Sequence, residues 1–244
     1  MSALQRHTLC WLESAELRLI ARQLNGAFSA LPASLREELR DYLLSGYLPG
    51  IVRRGIRDEA SISLGFCFPQ RWQGQRLRLA TVASLQAVTR VSTPEQTAIL
   101  PAVNRTSAIR AFSALRQAWR GPETGLGVWG SVALEMTTPW LWTDSRSDLE
   151  IRISPWHEMA LSDCYSVLTD IAQQYSVRID GEINLPNGFS INIKEWFSRS
   201  LTLLAKGETD VELMTRQDVD GLIKHLSMIY ICLLYTSPSP RDPK

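Results

Sequence analysis

The six residues Asp148-Leu-Glu-Ile-Arg-Ile153 constrain this chain more than any other stretch. Charged and apolar side chains alternate with the two-residue period of a β-strand. Leu149 and Ile151 therefore turn to a core, while Asp148 and Glu150 stand side by side on the other face. Amphipathic helices flank this strand. One is predicted from Thr106 or Ser107 to Trp119, with Ile109, Phe112, Leu115 and Trp119 on one stripe. The other spans 157–175 through Leu161, Tyr165, Leu168, Ile171 and Tyr175. Between them come a short strand, Leu126 to Trp129, and a brief helix at 132–137 that Pro139 stops. Further strands are predicted at Val177 to Asp180 and in a hairpin, Glu182 to Leu185 and Phe189 to Ile193, around Pro186-Asn187-Gly188. This order gives an α/β (α+β) layer, helices packed on a small mixed sheet.

The first half is less regular. Helices are expected at 14–24 and 34–44, the second opened by a capping box, Ser34-Leu-Arg-Glu37. After Gly46 and Pro49-Gly50 come extended segments at 51–54, 60–66 and 76–82; Ile62, Leu64 and Phe66 share a face, and Arg76-Leu-Arg-Leu-Ala alternates likewise. Residues 83–104 carry mixed signals around Pro94 and Pro101, which places the domain boundary there: a smaller N-terminal α+β domain over 1–100 and a catalytic domain over 101–231. The tail 232–244, three prolines and two serines after an abrupt end to the helical pattern Val219, Leu222, Ile223, Leu226, Ile229 and Tyr230, resembles the translation of a sequencing adapter. The expectation is a non-native tail, with the natural sequence diverging near Ile231; the alternative is a genuine disordered Pro/Ser tail.

Charge and hydropathy exclude several classes. With 26 Lys+Arg against 25 Asp+Glu the net charge is +1, too little to hold nucleic acid by bulk electrostatics. No apolar run approaches the roughly 20 residues of a membrane helix, and no basic-then-apolar secretory signal is present. Cys10, Cys67, Cys164 and Cys232 are scattered without a CxxC pair, the pattern of reduced, cytoplasmic thiols.

Two carboxylates converging to about 5 Å repel by about 3 kcal/mol at an effective dielectric near 20. A hard divalent cation relieves that repulsion, and Mg²⁺ takes one or two carboxylates plus substrate phosphates. Gly130-Ser131, at a strand-to-helix turn, offers a close backbone approach and free amides for an anion. Asp180, ending the next strand, would join the first two acids if the strands are neighbours, placed to orient or deprotonate an attacking hydroxyl. Taken singly, an acidic pair on an edge strand is more often a solvated face and Gly-Ser a plain turn, while Asp180 before Gly181 reads equally well as a turn residue; it is their combination that points to chemistry.

Gly-Ser, a spacer, Asp-x-Asp/Glu and a later Asp resemble the active-site pattern of the polymerase-β-like nucleotidyltransferase superfamily. The long gap from Ser131 to Asp148, in VWGSVALEMTTPWLWTDSRSDLEI, resembles one branch, the malonate decarboxylase holo-[acyl-carrier-protein] synthases, or phosphoribosyl-dephospho-CoA transferases. RHTLCWL, GIVRRG, SLGFCFPQRWQGQRLRLATV, RIDGEINLPNGFSINIKEW and LTLLAKG are similar to family segments in family order, over most of residues 6–223. The resemblance implies transfer of the phosphoribosyl-dephospho-CoA group from 2′-(5″-triphosphoribosyl)-3′-dephospho-CoA to a serine of the apo acyl carrier subunit of malonate decarboxylase, with release of pyrophosphate. It implies that Gly130 and Ser131 cradle the triphosphate and that Asp148 and Glu150 ligate Mg²⁺, with Asp180 as the third acid. Arg53 and Arg54 would reach phosphate or the carrier, Lys206 would serve the same end, and Glu182 and Glu195 match family positions that a structural role explains as well.

Three departures are visible: Glu150 where the family usually has Asp, no glycine in MTTPWLW, and Ile193-Lys194 in place of a tryptophan-containing step. His7, His157 and His225 have no ligand or triad spacing and read as surface or capping residues. Trp129, Trp140, Trp142 and Trp156 cluster around the proposed site, with core packing the default role and adenine stacking the alternative. The competing functional readings are another nucleotidyltransferase using ATP or a related nucleotide, and a non-catalytic nucleotide-binding relative.

Overall fold

The computed structural model describes residues 4–154 and 158–224. The chain opens with β1 (Leu9–Leu12) and two helices, α1 (Ser14–Ala27) and α2 (Ala33–Leu44). Then come β2 (Gly50–Arg57), β3 (Ser61–Trp72), β4 (Gln75–Ser84), β5 (Val88–Ser92) and a short helix, α3 (Pro94–Ala98). The second half runs α4 (Ser107–Ala118), β6 (Leu126–Trp129), α5 (Gly130–Thr137), β7 (Leu149–Ile153), α6 (Glu158–Tyr175), β8 (Ile179–Asn184), β9 (Ser190–Asn192), α7 (Ile193–Trp196), β10 (Thr202–Lys206) and β11 (Val211–Thr215), with helical residues 216–224 after it. No helix among the described residues is long and apolar enough to cross a membrane.

Two sheets organise these elements. The first is antiparallel in the order β4-β3-β2-β1-β5. One face presents Val52, Ile62, Leu64, Phe66, Phe68 and Leu79 to Leu17, Ile20, Leu24, Leu39 and Leu43 of α1 and α2. The other face is charged: Cys67 pairs with Arg78 and Ile51 with Gly65, so Ile51, Arg53, Cys67, Arg76 and Arg78 share one side. The second sheet has the order β11-β10-β9-β8-β7-β6, antiparallel except for β7 and β8, which are parallel and joined through α6. Its core packs Val128, Leu149, Ile151, Ile179, Ile183 and Ile191 against Ile109, Phe112, Leu115, Leu161 and Leu168. Leu134 and Trp142, from the second half of the chain, belong to the core of the first sheet. The charged face of the first sheet and the α5 end of the second are thereby held against one cavity.

The structure corrects the sequence reading at several points. Ser34 caps nothing: α2 begins one residue earlier, after Pro32, whose restricted φ already sets the extended N-cap conformation, and no side-chain cap bond forms. The reciprocal cap lies instead in the segment with mixed signals, where Thr93 Oγ1 accepts the Gln96 amide and Gln96 Oε1 accepts the Thr93 amide, with Pro94 at the first helical position. That segment also supplies β5, which pairs with β1, a strand the apolar run LCWL did not announce. The two strands expected around Gly181 are one, β8, because Gly181 leaves room for Ile193: a Cβ there would stand 2.9 Å from Ile193 Cγ2. Strands β10 and β11 were not anticipated. The expectations for Trp156, His157, Leu226 to Tyr230, His225 and the tail 232–244 lie outside the described residues.

Candidate active site

The corner between β6 and α5 is built around Glu150. In the antiparallel β6–β7 pair Trp129 stands opposite Glu150, so the next two residues turn over its carboxylate. Gly130 makes that turn with φ +68°, and a Cβ at Gly130 would collide with the Glu150 carboxylate, so position 130 needs glycine on two counts. The Ser131 amide, at the start of α5, donates to Glu150. The other oxygen, Oε2, is buried and has no partner. Burial pushes the Glu150 carboxyl up to about 7; Asp148 and Asp180 push it the same way, against the Ser131 amide and Arg78. This is a carboxylate in want of a cation.

The neighbouring acids stand where the strand period puts them. Leu149 and Ile151 are fully buried, which leaves Asp148 and Glu150 on the open side. Asp148 pairs with Arg178 at 3.1 Å, but Arg178 is 68% exposed, so the pair is a surface contact of about 0–1 kcal/mol and not a buried lock. Asp180 is the register partner of Glu150 across β7 and β8, and its Oδ1 accepts Asn192 Nδ2 at 2.7 Å. Asn192 Oδ1 in turn caps α7 by accepting the amides of Lys194 and Glu195. Asp180 acts on Glu150 through its charge but is not among the side chains lining the cavity.

That cavity, about 640 Å³, has room for a substrate-sized molecule. Gly130, Ser131, Asp148 and Glu150 form one wall, and Arg53, Arg71, Arg76 and Arg78 stand in the facing one. Among the described residues, five buried side-chain polar atoms have no partner, and three belong to residues lining this cavity: Glu150 Oε2, Trp129 Nε1 and Arg76 Nη1. Buried polar groups are normally satisfied, so their concentration here marks a place for a ligand.

Not every expected residue arrives. Arg53 lines the cavity, while Arg54, its neighbour on β2, points Nε toward the Gly207 carbonyl 3.5 Å away. Lys206 is outside the lining as well: its ammonium bonds Glu182 at 3.1 Å. Glu182, 3% exposed, also meets Arg6 Nη2 and His7 Nε2, each at 3.3 Å. Burial raises its carboxyl, but the His7 bond and the charges of His7, Arg6 and Lys206 hold it well below the usual carboxylate range. The His7 bond and the neighbouring side chains of Arg6 and Lys206 together favour the charged form of Glu182. Glu195 Oε2 accepts the Leu204 amide at 3.3 Å, a bond that ties α7 to β10.

His7 was misjudged. It is neither surface nor cap: it lines the cavity, adopts φ +69°, and stacks on Trp129 with centroids 3.9 Å apart. Burial and then the cations Arg6 and Arg152 depress its pKa against the pull of Glu182. Nothing in RHTLCWL marks it, because only the pairing of β1 brings it under Trp129. Arg76 and Arg78, by contrast, carried a usable signal, two charges two residues apart between buried or half-buried leucines, the same logic that found Asp148 and Glu150. Of the tryptophans, Trp129 and Trp142 line the cavity, Trp142 at only 1% exposure, and Trp140 lies edge-on to Tyr42 and Tyr47.

The donors fit a hard cation only in part. An orphaned buried oxygen on Glu150 beside the carboxylate of Asp148 suits Mg²⁺. Among the described residues no group of three or more His, Cys, Asp or Glu could hold a metal. A cation here would complete its shell from substrate oxygens and water.

Comparisons with known proteins identify the family of the chain. Residues 5–94 match the family model of the phosphoribosyl-dephospho-CoA transferase MdcG N-terminal domain, and residues 96–217 that of the MdcG C-terminal domain. A phosphoribosyl-dephospho-CoA transferase of Xanthomonas axonopodis pv. citri is 26% identical over 216 residues, covering 86% of this chain and 94% of the relative. One of Xanthomonas euvesicatoria pv. vesicatoria is 27% identical over 223 residues with the same coverage. No solved structure matches. With both halves matched in order, the chain belongs to the phosphoribosyl-dephospho-CoA transferase family of enzymes.

Proposed function

We propose that this protein transfers the phosphoribosyl-dephospho-CoA group from 2′-(5″-triphosphoribosyl)-3′-dephospho-CoA to a serine of an apo acyl carrier protein, the subunit of malonate decarboxylase, in the cytoplasm. The observation that carries the reading is the unmet Glu150 oxygen, set beside Asp148 at a glycine corner and faced by guanidinium groups across one cavity. That pairing of charges suits a triphosphate, which needs a cation on one side and fork-shaped donors on the other.

In the reaction the serine oxygen attacks the α-phosphorus, the α–β anhydride bond breaks, and pyrophosphate leaves with that electron pair. Gly130 and Ser131 let the phosphate chain approach the start of α5. Arg53 and Arg78 face it from β2 and β4 and meet charge spread over the departing oxygens. Asp148 and Glu150 would hold Mg²⁺, which supplies charge neutralisation at the α-phosphate and the leaving group. The serine proton passes to a carboxylate of the corner or to water, with Asp180, one strand over and outside the cavity lining, acting on that corner through its charge. This is nucleotidyl-transfer chemistry of the polymerase-β-like type.

Incubation of the protein with the triphosphoribosyl substrate, Mg²⁺ and the apo carrier should add the mass of the phosphoribosyl-dephospho-CoA group to the carrier and release pyrophosphate. An unchanged carrier, or label passing instead from ATP to a hydroxyl acceptor, would overturn the reading.

A further inference from the structure

The arginine wall extends beyond what the triphosphate needs. Arg78 is the member that reaches Glu150 electrostatically. Arg76 lies two residues further along β4, about 7 Å away, and Arg71 pairs with Arg76 across the hairpin. Arg76 is fixed in place: Nη2 donates to the Trp142 carbonyl at 2.8 Å, and the guanidinium lies 5.2 Å from the centre of the Trp142 ring. Its other terminal nitrogen, Nη1, is buried and bonded to nothing. Burial and the charge of Arg71 both lower the Arg76 pKa, so the guanidinium lies in a setting that an anion would relieve. Arg71 sits at the rim, 3.3 Å from Asp144, with both side chains 41% exposed. A preorganised guanidinium with an unmet fork nitrogen is a phosphate receptor.

We propose that Arg76, held by Trp142 and flanked by Arg71, is the anchor of a second anion subsite that takes the diphosphate of the dephospho-CoA moiety and so sets the preference for this substrate over a simple nucleoside triphosphate. The inference rests on the transferase reading, since that substrate carries two phosphate groups apart from each other: the triphosphate, placed at the Gly130–Glu150 corner, and the diphosphate between adenosine and the pantetheine arm. Only the corner needs a cation with the substrate; the second subsite binds through guanidinium groups alone. Trp142 acts here as a support and not as a stacking platform, because it is 1% exposed and its ring faces Arg76.

The test uses the full chain and three probes, by calorimetry: dephospho-CoA, which has the diphosphate and no triphosphate; inorganic tripolyphosphate with Mg²⁺; and adenosine, which has no phosphate. The expected result is that Arg76→Gln weakens dephospho-CoA at least tenfold, changes tripolyphosphate less than threefold, and that adenosine binds far more weakly than dephospho-CoA. Arg76→Lys, which keeps the charge and loses the fork, should fall between wild type and Arg76→Gln. If Arg76→Gln does not fold, Arg71→Gln serves in its place, with a smaller but still selective loss for dephospho-CoA. Equal loss of both phosphate probes, no loss for dephospho-CoA, or adenosine binding as tightly as dephospho-CoA would overturn the subsite. Failure of the transferase reading is told apart by the carrier assay: no transfer with selective dephospho-CoA binding intact removes the reaction and leaves the subsite standing.

Discussion

Glu150, half-buried with one oxygen shut off from water, and Glu182, fully buried, sit on adjacent parallel strands and have opposite fates. Glu182 is saturated: Arg6, His7 and Lys206 all reach its carboxylate, and its charge is secure. Glu150 has a single backbone donor, two like charges nearby, and one oxygen that bonds nothing. Burial of a carboxylate is therefore no sign of function by itself. A buried carboxylate whose needs the protein leaves unmet is such a sign, because some other species must meet them.

The contrast is broken most severely at Glu182. Replacing it by Ala strands Arg6 and Lys206 in a half-buried cluster and should cost about 3–5 kcal/mol of stability, read by urea unfolding. A loss under 1 kcal/mol would mean that the cluster is no lock. Glu150→Gln should do the reverse. Its carboxyl titrates at about 7 in the fold against an ordinary value of 4.5, so it favours folding below about pH 4.5 and that contribution is lost as pH rises through 7. The metal-free wild type should thus be less stable at pH 8 than at pH 5 by about 3 kcal/mol from this group, and Glu150→Gln should flatten that slope. Glu182, with its pKa held low, contributes stability above the ordinary carboxylate range and loses it only in stronger acid.

Smaller effects sharpen the same contrast. Gly130→Ala forces a side chain into the Glu150 carboxylate at a positive φ and should cost about 1–3 kcal/mol, with loss of transfer activity exceeding what the residual folded fraction explains. Arg178→Ala removes a surface partner of Asp148 and should change stability by less than about 1 kcal/mol. A larger loss would make Asp148 a structural ion-pair member like Glu182.

The acids of the corner were legible because a strand's period of two is local: Asp148 and Glu150 must share a face once Leu149 and Ile151 are buried. Gly130 was legible as a turn, though not its packing against Glu150. What stayed hidden depends on pairing between distant segments. His7 reaches Trp129 only through β1, and the arginine wall is assembled from β2, β3 and β4. Arg54 and Lys206 resembled family positions, yet Arg54 turns toward Gly207 and Lys206 is taken by Glu182. Ser34 shows the limit of a local motif, since Pro32 ahead of it already fixed where the helix begins.

We propose that Glu150, with Asp148, holds a divalent cation that the fold alone does not replace. Mn²⁺ binding to the protein without substrate, followed by the electron-spin signal of free Mn²⁺ from pH 5.5 to 8.5, tests it directly. Affinity should rise roughly tenfold per pH unit below about 7 and level above it, as one proton is displaced, and should be weak and independent of pH in Glu150→Gln. A flat profile in the wild type, or full affinity retained in Glu150→Gln, would contradict it.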